Sequence, residues 1–366
     1  MAQNNPKIAI VCDWLTGKGG AERVVKELAN LYPDAPIYTS QYNPEKIDWF
    51  ATSDVRTGWL QKISPKLKKF LPVLRAVYFS RLDLSDYDLV ISSSGAEAKY
   101  IKAKAHVCYM HAPTHYYWAR YDQYMKHPGF PQGLNWLARL GLKLLAGPLR
   151  KLDWKKTQNI DLVITNSSYT KSQIKKYYGL NSEVVHPPVD LDRFSREGLN
   201  EKHRNGFVVI GRQTPYKKVD LAVQSCTNLK LPLNVIGDGP DNAKLKSIAG
   251  PTINFYENAS DKEIVELLSQ AEGFIFPGVD DFGIVSIEAM SAGTPVIAFK
   301  DGGALDYVVP NKTGEFFDQQ SVESLVDTLE NFSPNNYNHG SIKKFAEQFS
   351  SLVFRVKIKK LMNERI

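Results

Sequence analysis

The chain has 366 residues, a length that suggests two domains rather than one. At 43% hydrophobic and 23% charged it can bury sizeable cores, and no apolar run approaches the roughly 18–20 residues of a membrane span. The net charge of +7 is uneven: residues 1–200 hold 28 Lys and Arg against 18 Asp and Glu, a net +10, while residues 201–366 hold 18 against 21, a net −3, so an anionic partner is expected at the first half.

The sequence passes from "MAQNNPK" directly into "KIAIVCDW" (7–14), a short apolar run without a cleavage site that predicts a buried strand rather than a secretion signal. "TGKGGAERVV" (16–25) follows, with Gly17, Gly19 and Gly20 forming a tight turn before a helix. Backbone N–H groups in such a turn can face a phosphate or a sugar hydroxyl, although a ligand-free glycine-rich connection fits equally well. Further strands are predicted at "YDLVISSS" (87–94), "HVCYMHAP" (106–113) and "DLVITNSS" (161–168), all short apolar runs of the kind a parallel sheet buries on both faces. His111 closes the second of these, ahead of Tyr116, Tyr117 and Trp118, aromatic surfaces suited to a sugar ring. Cys12, Cys108 and Cys226 form no CxxC pair, which fits a reducing compartment and argues against a disulfide framework or a zinc site.

Two stretches, 60–82 and 134–156, interleave Lys and Arg with Leu, Trp and Phe. They read as interfacial segments for an anionic membrane surface; an amphipathic helix with a solvated basic face is the plainer alternative. No nucleic-acid-binding motif accompanies the basic charge.

The Pro-rich, charged segment 186–206 marks a boundary, and the alternation then resumes with strands predicted at 206–212, 231–240, 253–258, 273–278 and 294–299. Helical stretches lie between them, among them "DKEIVELLSQA" (261–271), with Ser260 or Asp261 as its N-cap. The expected architecture is α/β: two doubly wound, Rossmann-like domains, 1–190 and 205–344, facing a cleft, with a C-terminal helix near 345–366 packing back on the first.

In "VVIGRQTPYKKVDLAV" (208–223) a strand ends at Arg212, and Lys217 and Lys218 sit at a helix start, where cations oppose the macrodipole unless an anion lies between. Arg212 offers a bidentate fork and Lys217 a point charge, together suited to a diphosphate. "PGVDDFGIVSIEAMSAGTPVIA" (277–298) places Asp280 and Asp281 in a loop before a helix from Gly283 to about Ala292. Its first N–H groups, at Gly283, Ile284 and Val285, are open to an anion or sugar oxygens, and either Asp could instead cap the helix. Glu288, in an apolar context, needs a partner, and a ribose with two hydroxyls is one. "DLD" (190–192) matches a DxD string but lies in the linker and reads as turn chemistry, so no metal site is expected.

Taken in order, "GGAERV", "YMHAP", "TNSSYTKSQIKKYYG", "VVHPPVDLDRF", "GRQTPYKKVDLAV", "VIGDGP" and "DDFGIVSIEAMSAGTPVIA" resemble the retaining family 4 glycosyltransferases of the B-type fold, and look closest to mannosyltransferases of bacterial polysaccharide and O-antigen assembly. The resemblance spans nearly the whole chain. It implies a first domain for the acceptor and a second for a nucleotide-sugar donor, GDP-mannose first and a UDP-sugar as alternative. Arg212 and Lys217 would hold the diphosphate, Glu288 the ribose, and Asp280 the transferred sugar. Phe282, Gly283, Ile284 and Val285 would line the donor, His111 would sit against its sugar, and Gly19 and Gly20 would lie near its phosphate and the acceptor. His111, Asp280, Arg212 and Lys217 are thus the expected catalytic set, with no metal or other cofactor. A lipid-linked acceptor would place the enzyme at the inner face of the cytoplasmic membrane. Asp280 departs from the family, most members of which carry Glu there, and Lys218 stands where many carry Gly. A binding protein without catalysis, or an epimerase on the same fold, are the rival readings.

Overall fold

The computed structural model describes residues 6–64, 71–126, 135–194 and 204–363. Residues 65–70 of the first basic stretch, Leu134 at the head of the second and 195–203 of the expected linker lie outside the described residues. The chain divides into two units, Met1–Pro187 with Phe354–Ile366, and Pro188–Val353.

In the first unit, β1 (Ile8–Cys12), β2 (Ile37–Thr39), β3 (Val55–Arg56), β4 (Leu89–Ser94), β5 (His106–Met110), β6 (Leu162–Thr165) and β7 (Glu183–Val184) form one sheet in the order β3-β2-β1-β4-β5-β6-β7. Every pairing in it is parallel. The strand pleat decides what each face buries. Ile10 and Cys12 enter one core with Val24, Val25 and Leu28 of α1 (Gly20–Leu31), whereas Ala9 and Val11 enter the other with Ala76 and Phe79 of α2 (Pro72–Arg81). Three more helices complete the layers: α3 (Tyr121–Lys126), α4 (Asn135–Thr157) and α5 (Ser168–Tyr178), the last capped by the Ser167 hydroxyl accepting from the Thr170 N–H.

The second unit repeats the plan with six strands. In chain order its elements are β8 (Phe207–Ile210), α6 (Val219–Leu229), β9 (Leu233–Ile236), α7 (Asn242–Ile248), β10 (Ile253–Tyr256), α8 (Asp261–Gln270), β11 (Gly273–Phe276), α9 (Ile284–Ser291), β12 (Val296–Phe299), β13 (Gly314–Phe317), α10 (Val322–Asn331) and α11 (His339–Ala346). The sheet runs β10-β9-β8-β11-β12-β13, parallel throughout. Ser260 is the N-cap of α8 and completes a capping box with Glu263.

The final helix, α12 (Ser351–Asn363), gives Phe354, Ile358 and Met362 to the core around β1 and α1, and Arg355 pairs with Glu27 of α1. The part of the chain that returns to the first unit therefore begins at Phe354; residues 345–353, expected with that helix, stay with the second unit, where Phe345 and Phe349 pack on its core.

All nine strands expected from sequence are present, each shorter than its apolar run because the run continues into the loop beyond. Strands β2, β3, β7 and β13 were not anticipated. No described helix is long and apolar enough to cross a membrane.

Candidate active site

In each sheet the chain winds outward in opposite directions from two central neighbours, β1 and β4 in the first and β8 and β11 in the second. The loops leaving those strands part at their carboxyl ends and open a crevice, the usual ligand position in such folds.

In the first unit that crevice is a cavity of about 260 Å³. Asp13 and Trp14 line it after β1, Ser93, Gly95 and Ala96 at the end of β4, and Glu22 and Val25 from α1; His111, His115, Tyr116 and Tyr124 complete the wall. Its floor is fixed by a buried acid. The Asp13 carboxylate accepts from the N–H groups of Gly95 (2.8 Å), Ala96 (3.0 Å) and Ala98 (2.8 Å) and from the Ser94 hydroxyl (3.3 Å), so the loop after β4 is pinned to the end of β1. His111 follows β5, with its Nε2 2.8 Å from the Ser93 hydroxyl and its ring beside Tyr109. Gly19 is the extended N-cap of α1 and Gly20 its first residue, so the N-cap position carries no side chain.

A second layer of buried charge supports this wall. Arg75 and Glu97, almost fully buried, pair at 2.7 Å. Burial pushes the Glu97 carboxyl up, and the Arg75 guanidinium and Tyr116 hydroxyl oppose it. Tyr116, which faces the cavity, donates to Glu97, and the Arg75 guanidinium reaches the same hydroxyl at 3.1 Å. Behind them Lys99 and Asp153, both completely buried, pair at 2.9 Å. Asp153 also accepts from Tyr100, Trp118 and Tyr178, each at 2.6 Å, and from Thr114 at 3.2 Å. The sequence reading singled out none of Asp13, Glu97, Lys99 and Asp153.

In the second unit the chain leaving β8 turns through a 3-10 segment, Pro215–Lys217, and enters α6. Lys218 is the N-cap of α6 at φ 54°, ψ 33°, a left-handed conformation that Gly adopts freely. Lys217, expected at the helix start, ends the 3-10 segment two residues before Val219, and its ammonium pairs with the Asp280 carboxylate. The same ammonium lies 5.5 Å from the Tyr216 ring centre and 6.0 Å from that of Phe276. Arg212, just beyond β8, is exposed.

The loop 277–283 after β11 is held from below by the Gly303 N–H donating to the Asp280 carbonyl at 2.9 Å. Gly283 is the N-cap of α9 at φ 95°, where an added Cβ would come within 2.6 Å of the Tyr307 hydroxyl and 2.9 Å of the Phe276 ring. The N-cap position itself is Gly283, which has no side chain to cap the helix, so neither Asp280 nor Asp281 occupies the N-cap position. Ile284 and Val285 form the start of its first turn, half-buried against the core. Phe282 departs from its expected role at the donor: its side chain is 3% exposed and packs edge-on against Tyr307 and at a tilt against Phe349, so only its backbone can reach a ligand. Glu288 is 7% exposed and already has a protein partner, Arg193, whose Nη1 lies 3.2 Å from its Oε1. That arginine was visible in "HPPVDLDRF", but nothing in its spacing linked it to an acid 95 residues on.

The profile of "Glycosyltransferase Family 4" matches residues 18–193 and that of "Glycosyl transferases group 1" residues 191–349, so together they span residues 18–349. The chain belongs to glycosyltransferase family 4. It is 30% identical over 198 residues to a GDP-mannose-dependent alpha-(1-6)-phosphatidylinositol monomannoside mannosyltransferase of Mycobacterium tuberculosis, a match covering 46% of this chain and 51% of that protein. The chain thus spans about half the length of the mycobacterial relatives of that description. Mouse alpha-1,3/1,6-mannosyltransferase ALG2 is 24% identical over 351 residues, 81% of each chain. Among solved structures, Anabaena Alr3699/HepE in complex with UDP superposes with a TM-score of 0.69 at 17% identity, over 97% of this chain and 100% of that one, which shows a shared fold.

Proposed function

We propose that this family 4 member is a retaining, metal-independent hexosyltransferase that moves mannose from GDP-mannose to a hydroxyl of a lipid-linked saccharide, at the inner face of a cytoplasmic membrane. The observation that carries the proposal is the cluster at the β8/β11 exit: Lys217 against Asp280, the α9 N-terminus with a glycine at its N-cap, and the buried acid Glu288 one turn further along. The relatives' printed donors, GDP-mannose among them, favour that nucleotide sugar.

In this reading Arg212 and Lys217 neutralise the donor diphosphate, the first N–H groups of α9 face its oxygens, and Glu288 accepts from the ribose hydroxyls. As the glycosidic bond breaks, the leaving phosphate takes the proton of the incoming hydroxyl on the same face. The protein contributes positioning and a fixed positive field. Lys217 exchanges Asp280 for phosphate, which frees the Asp280 carboxylate to accept from a hydroxyl of the transferred sugar. His111 and the first turns of α1, through Ala21, Glu22 and Val25 just beyond Gly19 and Gly20, border the first unit's cavity, which takes the acceptor sugar. At about 260 Å³ it lies just under the roughly 300 Å³ lower end of small-molecule clefts, room for one ring rather than a chain.

The membrane contact rests on α4 and α2. In α4, Ala138, Ala146, Asp153 and Thr157 face inward. Trp136 (60% exposed), Leu144 (65%) and Trp154 (47%) stand outward among exposed Arg139, Lys143, Lys151 and Lys155. Trp59, Val73, Leu74 and Val77 add apolar exposure around α2. A solvated basic face alone accounts for the cations but not for exposed tryptophan and leucine.

A thermal-shift panel of GDP-mannose, UDP-glucose and ADP-glucose, followed by a transfer assay on a polyprenyl-linked saccharide, tests the donor. Stabilisation by GDP-mannose with release of GDP on adding acceptor is expected. A shift with the UDP-sugar alone overturns the donor, and binding without release of nucleotide overturns catalysis.

A further inference from the structure

We propose that Arg193 is a positioning residue for the nucleotide's ribose: it holds the Glu288 carboxylate in the orientation that receives the ribose hydroxyls. The inference rests on the reading of Glu288 as the ribose ligand and goes beyond it, by naming what places that acid.

Three observations carry it. First, Glu288 stands on α9 in an almost wholly apolar segment, with its side chain only 9% exposed. A carboxylate so placed needs a charged or hydrogen-bonding partner, and Arg193 supplies one at 3.2 Å through Nη1. Second, the guanidinium is itself tethered. Its Nη2 donates to Asp261 at 2.9 Å, at the first position of α8, so one planar fork spans two helices and its own rotation is restricted. Third, Arg193 comes from a short turn, Asp192–Phe194, that the second unit grips: Phe194 is buried in its core, and the Val189 N–H donates to the Phe349 carbonyl at 2.9 Å. Backbone anchor, tether and acid thus fix the guanidinium from three directions.

A carboxylate accepts about four hydrogen bonds, so an anchoring contact at Oε1 leaves capacity for two vicinal hydroxyls. Without the anchor, Glu288 loses the guanidinium that restrains its three rotatable torsions. The Asp261 contact sits at an 86% exposed carboxylate and serves as a tether rather than a source of stability.

The test compares affinities of GDP and UDP with those of their 2′,3′-dideoxy counterparts, by calorimetry on the full chain. Four proteins are used: wild type, Glu288→Gln, Arg193→Gln and Arg193→Lys. In wild type the better nucleotide should lose roughly tenfold to a hundredfold on removal of the hydroxyls, the worth of hydrogen bonds to a charged group. Glu288→Gln should collapse that ratio. Arg193→Gln should lower it by roughly three- to tenfold, and Arg193→Lys should restore part of it. Equal weakening of ribo and dideoxy forms in Arg193→Gln, with the ratio kept at the wild-type value, would mean a merely structural role and overturns the inference alone. A ratio that survives Glu288→Gln, or is absent in wild type, overturns the ribose reading and the inference with it. Should Arg193→Gln fail to fold, Arg193→Lys carries the same comparison: an unchanged ratio refutes, and a reduced one supports.

Discussion

The fully buried pair Lys99–Asp153 allows a magnitude to be worked from the structure. Asp153→Asn changes one atom and no volume, but it removes the counter-charge 2.9 Å from a lysine with no exposure. Lys99 keeps the Thr114 hydroxyl at 2.7 Å, the Ala96 carbonyl and the Tyr100 ring, 5.2 Å to its centre, as neutral partners. Breaking one side of a buried ion pair costs about 3–5 kcal/mol. The new amide also has to place its NH2 either on the Oδ2 side, against the Trp118 Nε1–H, or on the Oδ1 side, against the Lys99 ammonium, and neither of those donors can accept it. A loss of about 4 kcal/mol is a large share of the 5–15 kcal/mol that holds a domain folded. For a unit of some 150–250 residues it lowers Tm by roughly 8–16 °C. Scanning calorimetry of the full chain, with Trp fluorescence to report on Trp118, measures it. Adding Lys99→Met to Asp153→Asn removes the stranded charge and should recover part of the loss, a coupling of about 0.5–3 kcal/mol. A Tm drop below about 2 °C, or strictly additive effects of the two substitutions, refutes the claim that this pair is a charged, desolvated unit.

Four further outcomes are expected. Lys218→Gly should raise stability by about 0.5–1 kcal/mol, because relief of a left-handed Lys outweighs the added freedom of Gly in the unfolded chain; a destabilised variant in denaturant melts contradicts the strain at φ 54°. Asp280→Asn should leave GDP binding unchanged or tighter, since Lys217 loses its competing carboxylate, while transfer falls by about 100-fold or more; a parallel loss of both contradicts the exchange of partners. Leu140→Glu with Leu144→Glu, at sites 46% and 65% exposed, should leave Tm within a degree or two but cut binding to phosphatidylserine vesicles by about 100-fold; unchanged co-sedimentation removes α4 from the membrane contact. His106, pushed down to about 4 by burial from its ordinary 6.5, stays neutral in the folded chain while the unfolded chain protonates, so its contribution is complete above pH 6.5 and is lost as pH falls through 4; the loss is about 3 kcal/mol, and His106→Gln should flatten that limb of the stability–pH curve.

Much of the fold was legible because buried parallel strands announce themselves as apolar runs. "KIAIVCDW" needs no knowledge of its neighbours to read as a strand buried on both faces. The four strands that escaped notice have two to four residues, "IYT", "VR", "EV" and "GEFF", and three of them, β3, β7 and β13, are sheet edges. An edge strand buries little, so its sequence carries little pattern, and pairing with an existing neighbour creates it. The α4 stretch was legible as amphipathic and basic, but its sequence did not say that Asp153 would point inward. An acid amid "RKLDWKK" looks like part of a solvated face until Lys99 and three aromatic donors are brought around it.

The same limit governs the candidate site. Sequence recognised that Glu288, set among apolar residues, must have a partner, and it offered a ribose. The structure offers Arg193, and the two answers do not compete. A buried acid that waited for its ligand as an unpaired charge would cost the folded chain several kcal/mol, whereas one already held by a guanidinium is tolerated and keeps lone pairs for hydroxyls. The Lys217–Asp280 pair works in the opposite sense. There the cation expected to meet a diphosphate is engaged by an acid, so an entering anion has to displace a carboxylate, and part of its attraction goes into that exchange. The missing methylene of Asp280 bears on this balance, since the shorter arm is tied to Lys217 across the β8/β11 exit. One acid is braced and the other is spoken for, and this difference explains why substitution of Glu288 should act on binding and substitution of Asp280 on transfer.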